Sequence, residues 1–172
     1  QEQQLGTGHA IQEFLSQSKC SSSAVLILCA DTPLIDMEVI IQLIQFKREN
    51  NLQAAGLSFV TEDPTGYGRI KRSNGQIGVK IVEQKDATEN EKEISEVNSG
   101  IYLVDLNYLK DKASKLKSNN KSNEFYLTDI MCFGEPVDFL SIKDGEKTFM
   151  GVNTMEQLAD AEKIARRKII KM

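Results

Sequence analysis

Val25-Leu26-Ile27-Leu28-Cys29-Ala30-Asp31-Thr32-Pro33-Leu34 is the stretch on which the fold turns. An unbroken run of β-branched and aliphatic residues that stops at an acid predicts a strand buried on both faces of a parallel sheet, with a carboxylate at its carboxyl end. In open α/β sheets the ligand crevice lies outside those ends, where Asp31 could handle a hard cation or a phosphate-bearing ligand. Asp31-Thr32-Pro33 is equally a turn starter, because an Asp side chain bonds its own backbone two residues on. Read alone, the stretch leaves both roles open.

On either side of it the chain alternates helix and strand. Thr7 precedes Ala10, Ile11, Phe14 and Leu15, which share one helical face, and is the expected N-cap of that helix. Such a helix start offers free N–H groups to an anion or a carbonyl. His9, the only histidine, is expected to be structural. Asp36 opens a helix running to Lys47, with Ile40, Leu43 and Ile44 on its buried side, and residues 54–60 form the next buried strand. This alternation predicts an α/β domain with a mostly parallel, Rossmann-like sheet and helices on both faces.

The pattern then breaks. Asp63-Pro64-Thr65-Gly66-Tyr67-Gly68-Arg69 is a glycine-bearing loop in which Gly68 lets backbone approach a ligand. It leads into a hairpin, residues 70–72 and 77–82, around Asn74-Gly75. Glu83-Gln84-Lys85-Asp86 reads as a solvated loop, residues 89–93 as a mobile polar one, and Asn98-Ser99-Gly100 as a turn before a strand over 101–104. A helix over 106–116, a polar linker, a short helix from Tyr126 and a strand over 137–142 follow. A last strand over 148–152 ends at Asn153, and Thr154-Met155-Glu156-Gln157 is a capping box opening the terminal helix, with Leu158, Ala161, Ala165 and Ile169 buried.

With 172 residues, 40% of them hydrophobic and 27% charged, the chain is expected to form one domain. Its net charge of −4 and dispersed basic residues provide no extended cationic face for nucleic acid or an anionic membrane. Any polyanionic ligand would need local neutralisation or a metal. Cys20, Cys29 and Cys132 show no metal-binding spacing, and their odd number suits a reducing, cytoplasmic setting. No apolar run is long enough to cross a bilayer, and the first residues lack the pattern of a signal peptide. Because the chain begins at Gln1 directly in patterned sequence, its start is expected to be missing.

Taken together, residues 1–10 (QEQQLGTGHA), 30–34 (ADTPL), 63–70 (DPTGYGRI), 81–87 (IVEQKDA), 97–100 (VNSG), 126–130 (YLTDI) and 151–153 (GVN) form an ordered series. That series closely resembles the uridylyltransferase domain of the bacterial bifunctional GlmU family, which joins UTP to N-acetylglucosamine 1-phosphate. The resemblance covers residues 1 to about 165. It implies the nucleotide-diphospho-sugar transferase fold and formation of UDP-N-acetylglucosamine, with release of pyrophosphate, for cell-wall synthesis.

Position by position, Gln1 and Gln4, with the backbone of Gly6 and Thr7, match the segment that reads uracil, whose imide edge needs both a donor and an acceptor. Asp31 and Asn153 match the two protein ligands of Mg²⁺, and as oxygen donors they suit a hard cation. Gly68, Glu83 and Asn98 match the residues around the N-acetylglucosamine moiety, and Thr128 a further contact in that pocket. Cys29-Ala30 stands where a Tyr-Gly pair, or at least a Gly, is common, so a methyl at Ala30 narrows the space beside the nucleotide. The implied reaction is in-line attack of the sugar phosphate on the α-phosphorus of UTP, without a covalent enzyme intermediate.

Three parts of the family's pattern are absent from this sequence. These are the opening strand with its glycine-rich loop, the β-helix acetyltransferase domain that builds a homotrimer, and about one helical turn between Thr128 and Asn153. The resemblance therefore implies a partial uridylyltransferase domain without the groups that cradle the triphosphate. Two other readings stay open: a sugar-nucleotide pyrophosphorylase of the same fold acting on another sugar or base, and an inactive fragment serving as a binding or assembly module.

Overall fold

A computed structural model describes residues 3–19, 21–72 and 77–170, with side chains to residue 167. Gln1, Cys20 and the Asn74-Gly75 turn lie outside the described residues. The elements run α1 (Thr7–Gln17), β1 (Ala24–Ile27), α2 (Met37–Glu49), β2 (Ala54–Val60), β3 (Arg69–Arg72), β4 (Val79–Val82), α3 (Glu89–Lys92) and β5 (Glu96–Asp105). They continue with α4 (Leu106–Ala113), a 3₁₀ turn at Leu127–Ile130, β6 (Val137–Ser141), α5 (Gly145–Thr148) and α6 (Met155–Ile170).

β2 shows why the sheet is buried on both faces. Ala54 joins an apolar cluster with Tyr108 and Leu109 of α4 and Ile130 of the 3₁₀ turn, while Ala55, Leu57 and Phe59 join Val39, Ile40 and Leu43 of α2. Successive side chains of a strand point to opposite faces, so β2 serves both cores. α1 covers the first face through Ile11 and Leu15.

The α/β layering with helices on both faces matches the sequence reading, but the parallel majority does not. Among the described residues only β2 and β6 pair in parallel. β5 is antiparallel to β1, β2 and β3, and β3 to β4. The reason is topological: β1 and β2 point the same way through the crossover helix α2, and after the β3–β4 excursion the chain returns as β5 between them.

Other local expectations are corrected. The strand in residues 25–34 is only four residues long, and Leu26 and Leu28 are 39% and 50% exposed. Val25 and Ile27 pack onto the apolar cluster that α1 covers, and Leu26 between them points to the opposite face. Ile44 is likewise 48% exposed, and α2 buries Val39, Ile40 and Leu43. Thr7 is not the N-cap of α1. That position is Gly6, and the Thr7 hydroxyl accepts from the N–H of Leu127. Residues 89–92 form a helical turn rather than a loop, because Thr88 and Glu91 make a reciprocal capping box.

Residues 148–152 are not a strand. Asp144 in the left-handed region turns the chain into α5, and Phe149 anchors the segment by packing beside Phe59. The α6 capping box is present, with Gln157 N–H donating to Thr154 Oγ1 and Thr154 N–H to Gln157 Oε1. Ala161 is buried, but Leu158 is 47% exposed, which leaves α6 a narrower apolar stripe than its sequence suggests.

Candidate active site

β1 and β3 lie on the same edge of β5 but leave a gap between them. β1 pairs with residues 102–105 and β3 with Val97, and the N–H of Asn98 donates to the carbonyl of Gly68. Among the described residues, 99–101 of β5 meet no strand partner on that edge. A cavity of about 430 Å³ opens there, and Cys29, Asp31, Gly68, Glu83, Asn98 and Asn153 all line it.

Each lining residue is delivered by a local device. Beyond β1 the chain turns at Cys29, whose carbonyl accepts from both the N–H and the hydroxyl of Thr32. Asp31 is thereby brought to the rim, by a turn that Cys29 and Thr32 make and not by the Asp31 side chain, since the residue two further on is Pro33, which has no N–H. The carbonyl of Asp31 accepts from Val152 N–H at 2.8 Å, which ties the segment before α6 to the turn after β1. A Cβ built on Gly151 would stand 3.4 Å from Asn153 Nδ2 and 3.5 Å from Asp31 Oδ2. The two side chains thus converge over a glycine, and Gln157 holds Asn153 in place by accepting from its N–H.

On the other wall, Glu83 follows β4 and accepts from the Thr128 hydroxyl at 2.7 Å. Burial pushes its carboxyl above the usual range; the Thr128 bond opposes this, and the carboxylates of Asp129, Asp86 and Glu124 add to it. Gly68 keeps that carboxylate uncovered, since a Cβ there would lie 3.5 Å from both Glu83 oxygens.

The structure therefore gathers Cys29, Asp31, Gly68, Glu83, Asn98 and Asn153 around one cavity. Gln4, Gly6, Thr7 and Ala30 do not line it. Gly6 and Thr7 belong to a segment zipped onto residues 125–127: Phe125 N–H donates to Leu5, Gly8 N–H to Phe125, and Leu127 N–H to Thr7. Thr128 does not line the cavity either, but its hydroxyl bonds Glu83, which does. His9 pairs with Glu13 and packs near Phe125, as a structural histidine should.

Residues that sequence reasoning missed support these walls. Arg69 is 1% exposed, and its guanidinium donates to the carbonyls of Tyr67 and Lys92 and to Gln84 Oε1. Gln84 Oε1 also accepts from Gly66 N–H, so one oxygen joins the loop before β3 to the loop after β4. Asp31 and Asn153 are both oxygen donors and fit a hard cation that takes its other ligands from phosphate and water. Among the described residues no group of three or more His, Cys, Asp or Glu competes as a metal centre.

The sequence profile of the nucleotidyl transferase family matches residues 1–133. The chain belongs to that family. It is 44% identical over 176 residues to "Bifunctional protein GlmU" of Alkaliphilus oremlandii, covering 99% of this chain and 38% of that protein. It is 43% identical over 173 residues to the protein of the same name from Fervidobacterium nodosum, covering 99% and 37%. The chain thus spans less than two fifths of the length of these relatives. Its fold is similar to the crystal structure of UDP-glucose pyrophosphorylase complexed with UDP-glucose, with a TM-score of 0.58, 20% identity, and coverage of 74% of this chain and 49% of that one. Among the described residues no helix is long and apolar enough to cross a membrane.

Proposed function

We propose that this nucleotidyl transferase chain binds the sugar-nucleotide end of a uridylyl-transfer reaction that forms UDP-N-acetylglucosamine and pyrophosphate from UTP and N-acetylglucosamine 1-phosphate. The carrying observation is the convergence of Asp31 and Asn153 over Gly151, opposite Gly68, Glu83 and Asn98. The likeness to GlmU proteins supports the choice of uracil and N-acetylglucosamine.

In this reading Glu83 accepts from a sugar hydroxyl, Asn98 offers an amide N–H, and Gly68 lets the sugar approach the strand entry. Asp31 and Asn153 would hold Mg²⁺, which when bound neutralises and orients phosphates. The chain's own residues contribute positioning: they hold the sugar phosphate so that its oxygen lies in line with the α-phosphorus.

The test is thermal unfolding with 1 mM Mg²⁺ and UDP-N-acetylglucosamine, UDP-glucose or UDP alone. UDP-N-acetylglucosamine should raise Tm most, and only with the cation, because a ligand bound to the native state alone stabilises it. A larger response to UDP-glucose would move the assignment to another sugar. No response to any of the three would leave a binding or assembly module.

A further inference from the structure

β5 is a ladder partner of β1, β2 and β3, yet it is irregular where it borders the cavity. Gly56 of β2 pairs with Tyr102 and Ser58 with Asn98, so two residues of β2 are spanned by four of β5. The surplus bulges at Ser99 and Gly100. Gly100 takes φ +79°, and the Ser99 hydroxyl donates to Leu57 O while accepting from Ile101 N–H. In a regular strand residues four apart are separated by about 13 Å. Here the bulge brings the Asn98 amide within 2.7 Å of the Tyr102 hydroxyl.

The polarity of that contact follows from donor chemistry. Gly100 N–H can only donate, so the atom 3.1 Å from it is Asn98 Oδ1. Asn98 Nδ2 must then face Tyr102, whose oxygen accepts. Tyr102 is almost wholly buried, and its ring meets Phe139 edge-on, in space that Gly56 leaves free. The phenol therefore cannot swing away, and the amide cannot flip without setting two donors against each other.

We propose that Tyr102 is a positioning residue whose buried hydroxyl, reached across the bulge, locks the Asn98 carboxamide so that its second N–H is presented to the cavity. The ligand arm of this inference rests on the sugar-binding role given to Asn98 under the proposed function. The locking itself does not. Gly100 N–H sets which end of the amide is which, and the buried Tyr102 hydroxyl supplies the second point of attachment that holds its orientation.

Tyr102→Phe tests this with little disturbance, because the ring and its contact with Phe139 stay. Two readouts are needed. In ¹⁵N spectra of the full chain without ligand, the Asn98 side-chain NH₂ should exchange with solvent measurably faster in Y102F than in the parent; equal rates would overturn the inference whatever the chain binds. By calorimetry, Y102F should bind UDP-N-acetylglucosamine with Mg²⁺ about fivefold to tenfold more weakly, the loss of one hydrogen bond. Adding Y102F to Asn98→Ala should cost nothing further. Equal affinity of Y102F and parent, or an additional loss in the double variant, would also overturn it. A parent chain that binds no UDP-sugar would sink the proposed function, and the exchange rates would still decide the role of Tyr102.

Discussion

Asp31 and Asn153 meet over Gly151: a methyl at that position would touch the carboxylate of one and the amide of the other. They come from opposite ends of the chain, one from the turn after β1 and the other from the cap of α6. The Val152 to Asp31 backbone hydrogen bond fixes their spacing. Gly151→Ala should fold normally, since both contacts are at ordinary van der Waals distance, with Tm within about 2 °C of the parent as for a neutral surface change. It should nevertheless weaken Mg²⁺-dependent binding of a UDP-sugar at least about tenfold, or 1.4 kcal/mol. Asp31→Ala should abolish the cation dependence. Unchanged calorimetric titrations for both variants would remove this pair from the site.

Arg69 brackets the opposite wall. Among the described residues its guanidinium is spent on two backbone carbonyls and the Gln84 amide, and burial pulls its pKa down. Arg69→Met keeps much of the volume but takes the guanidinium donor from the carbonyls of Tyr67 and Lys92 and leaves Gln84 Oε1 with Gly66 N–H alone. The cost should be at least about 3 kcal/mol, equivalent to a Tm lower by about 6–12 °C for a chain of this size. Hydrogen exchange should accelerate over residues 63–68 before it does in β2. If the loss of protection were uniform, Arg69 would be a general core residue and not a brace of the two loops.

Glu83 carries a pH dependence with a definite sign. Its folded-state pKa is raised, chiefly by burial, so the native state holds the proton more tightly than the unfolded chain. Its contribution therefore destabilises as pH rises from the ordinary carboxylate range through the raised value, and vanishes below that range. Glu83→Gln keeps an acceptor for Thr128 and removes the charge. The variant should be more stable than the parent at pH 8 and equal to it at pH 3.5, while binding the UDP-sugar more weakly at pH 8. A parent that gains stability over the parent-to-variant difference as pH rises would contradict this assignment.

Much of this architecture is legible in residue order, but the contacts that shape the site are not. The apolar run of β2 and the capping box of α6 are local signals, and both elements appear where the sequence puts them. α3 was legible too, since Thr88-x-x-Glu91 is a capping box that the polar composition of the segment hides. Asn98-Ser99-Gly100 has the composition of a turn. Only its pairing with β2, a non-local fact, makes it a bulge inside a continuous strand. Arg69 and Tyr102 escape notice for the same reason: a charged residue entering a strand and an aromatic within one are unremarkable until partners distant in the chain are known. The motif series names Asp31, Gly68, Glu83, Asn98 and Asn153, which share the cavity, beside Gln4, Gly6, Thr7 and Ala30, which do not line it, and only the strand order separates the two groups.

The bulge itself supplies the last expectation. Gly100 sits at φ +79°, a region that costs a residue with a Cβ about 1–2 kcal/mol, and a Cβ there would lie 2.6 Å from Cys29 Sγ. The thiol donates to the Gly100 carbonyl, and partial burial together with the Asp31 carboxylate pushes its pKa up, which favours the SH form that makes this bond. Gly100→Ala therefore combines backbone strain with a collision, and these can be separated. Cys29→Ala removes the colliding atom and leaves the strain. In a double-variant cycle measured by urea unfolding, Cys29→Ala should recover the steric part of the loss, and a deficit of about 1–2 kcal/mol should remain for the strained φ. Strict additivity of the two changes would mean that the bulge relaxes away from Cys29, and that the β1 turn and the β5 bulge are not braced against each other across the cavity.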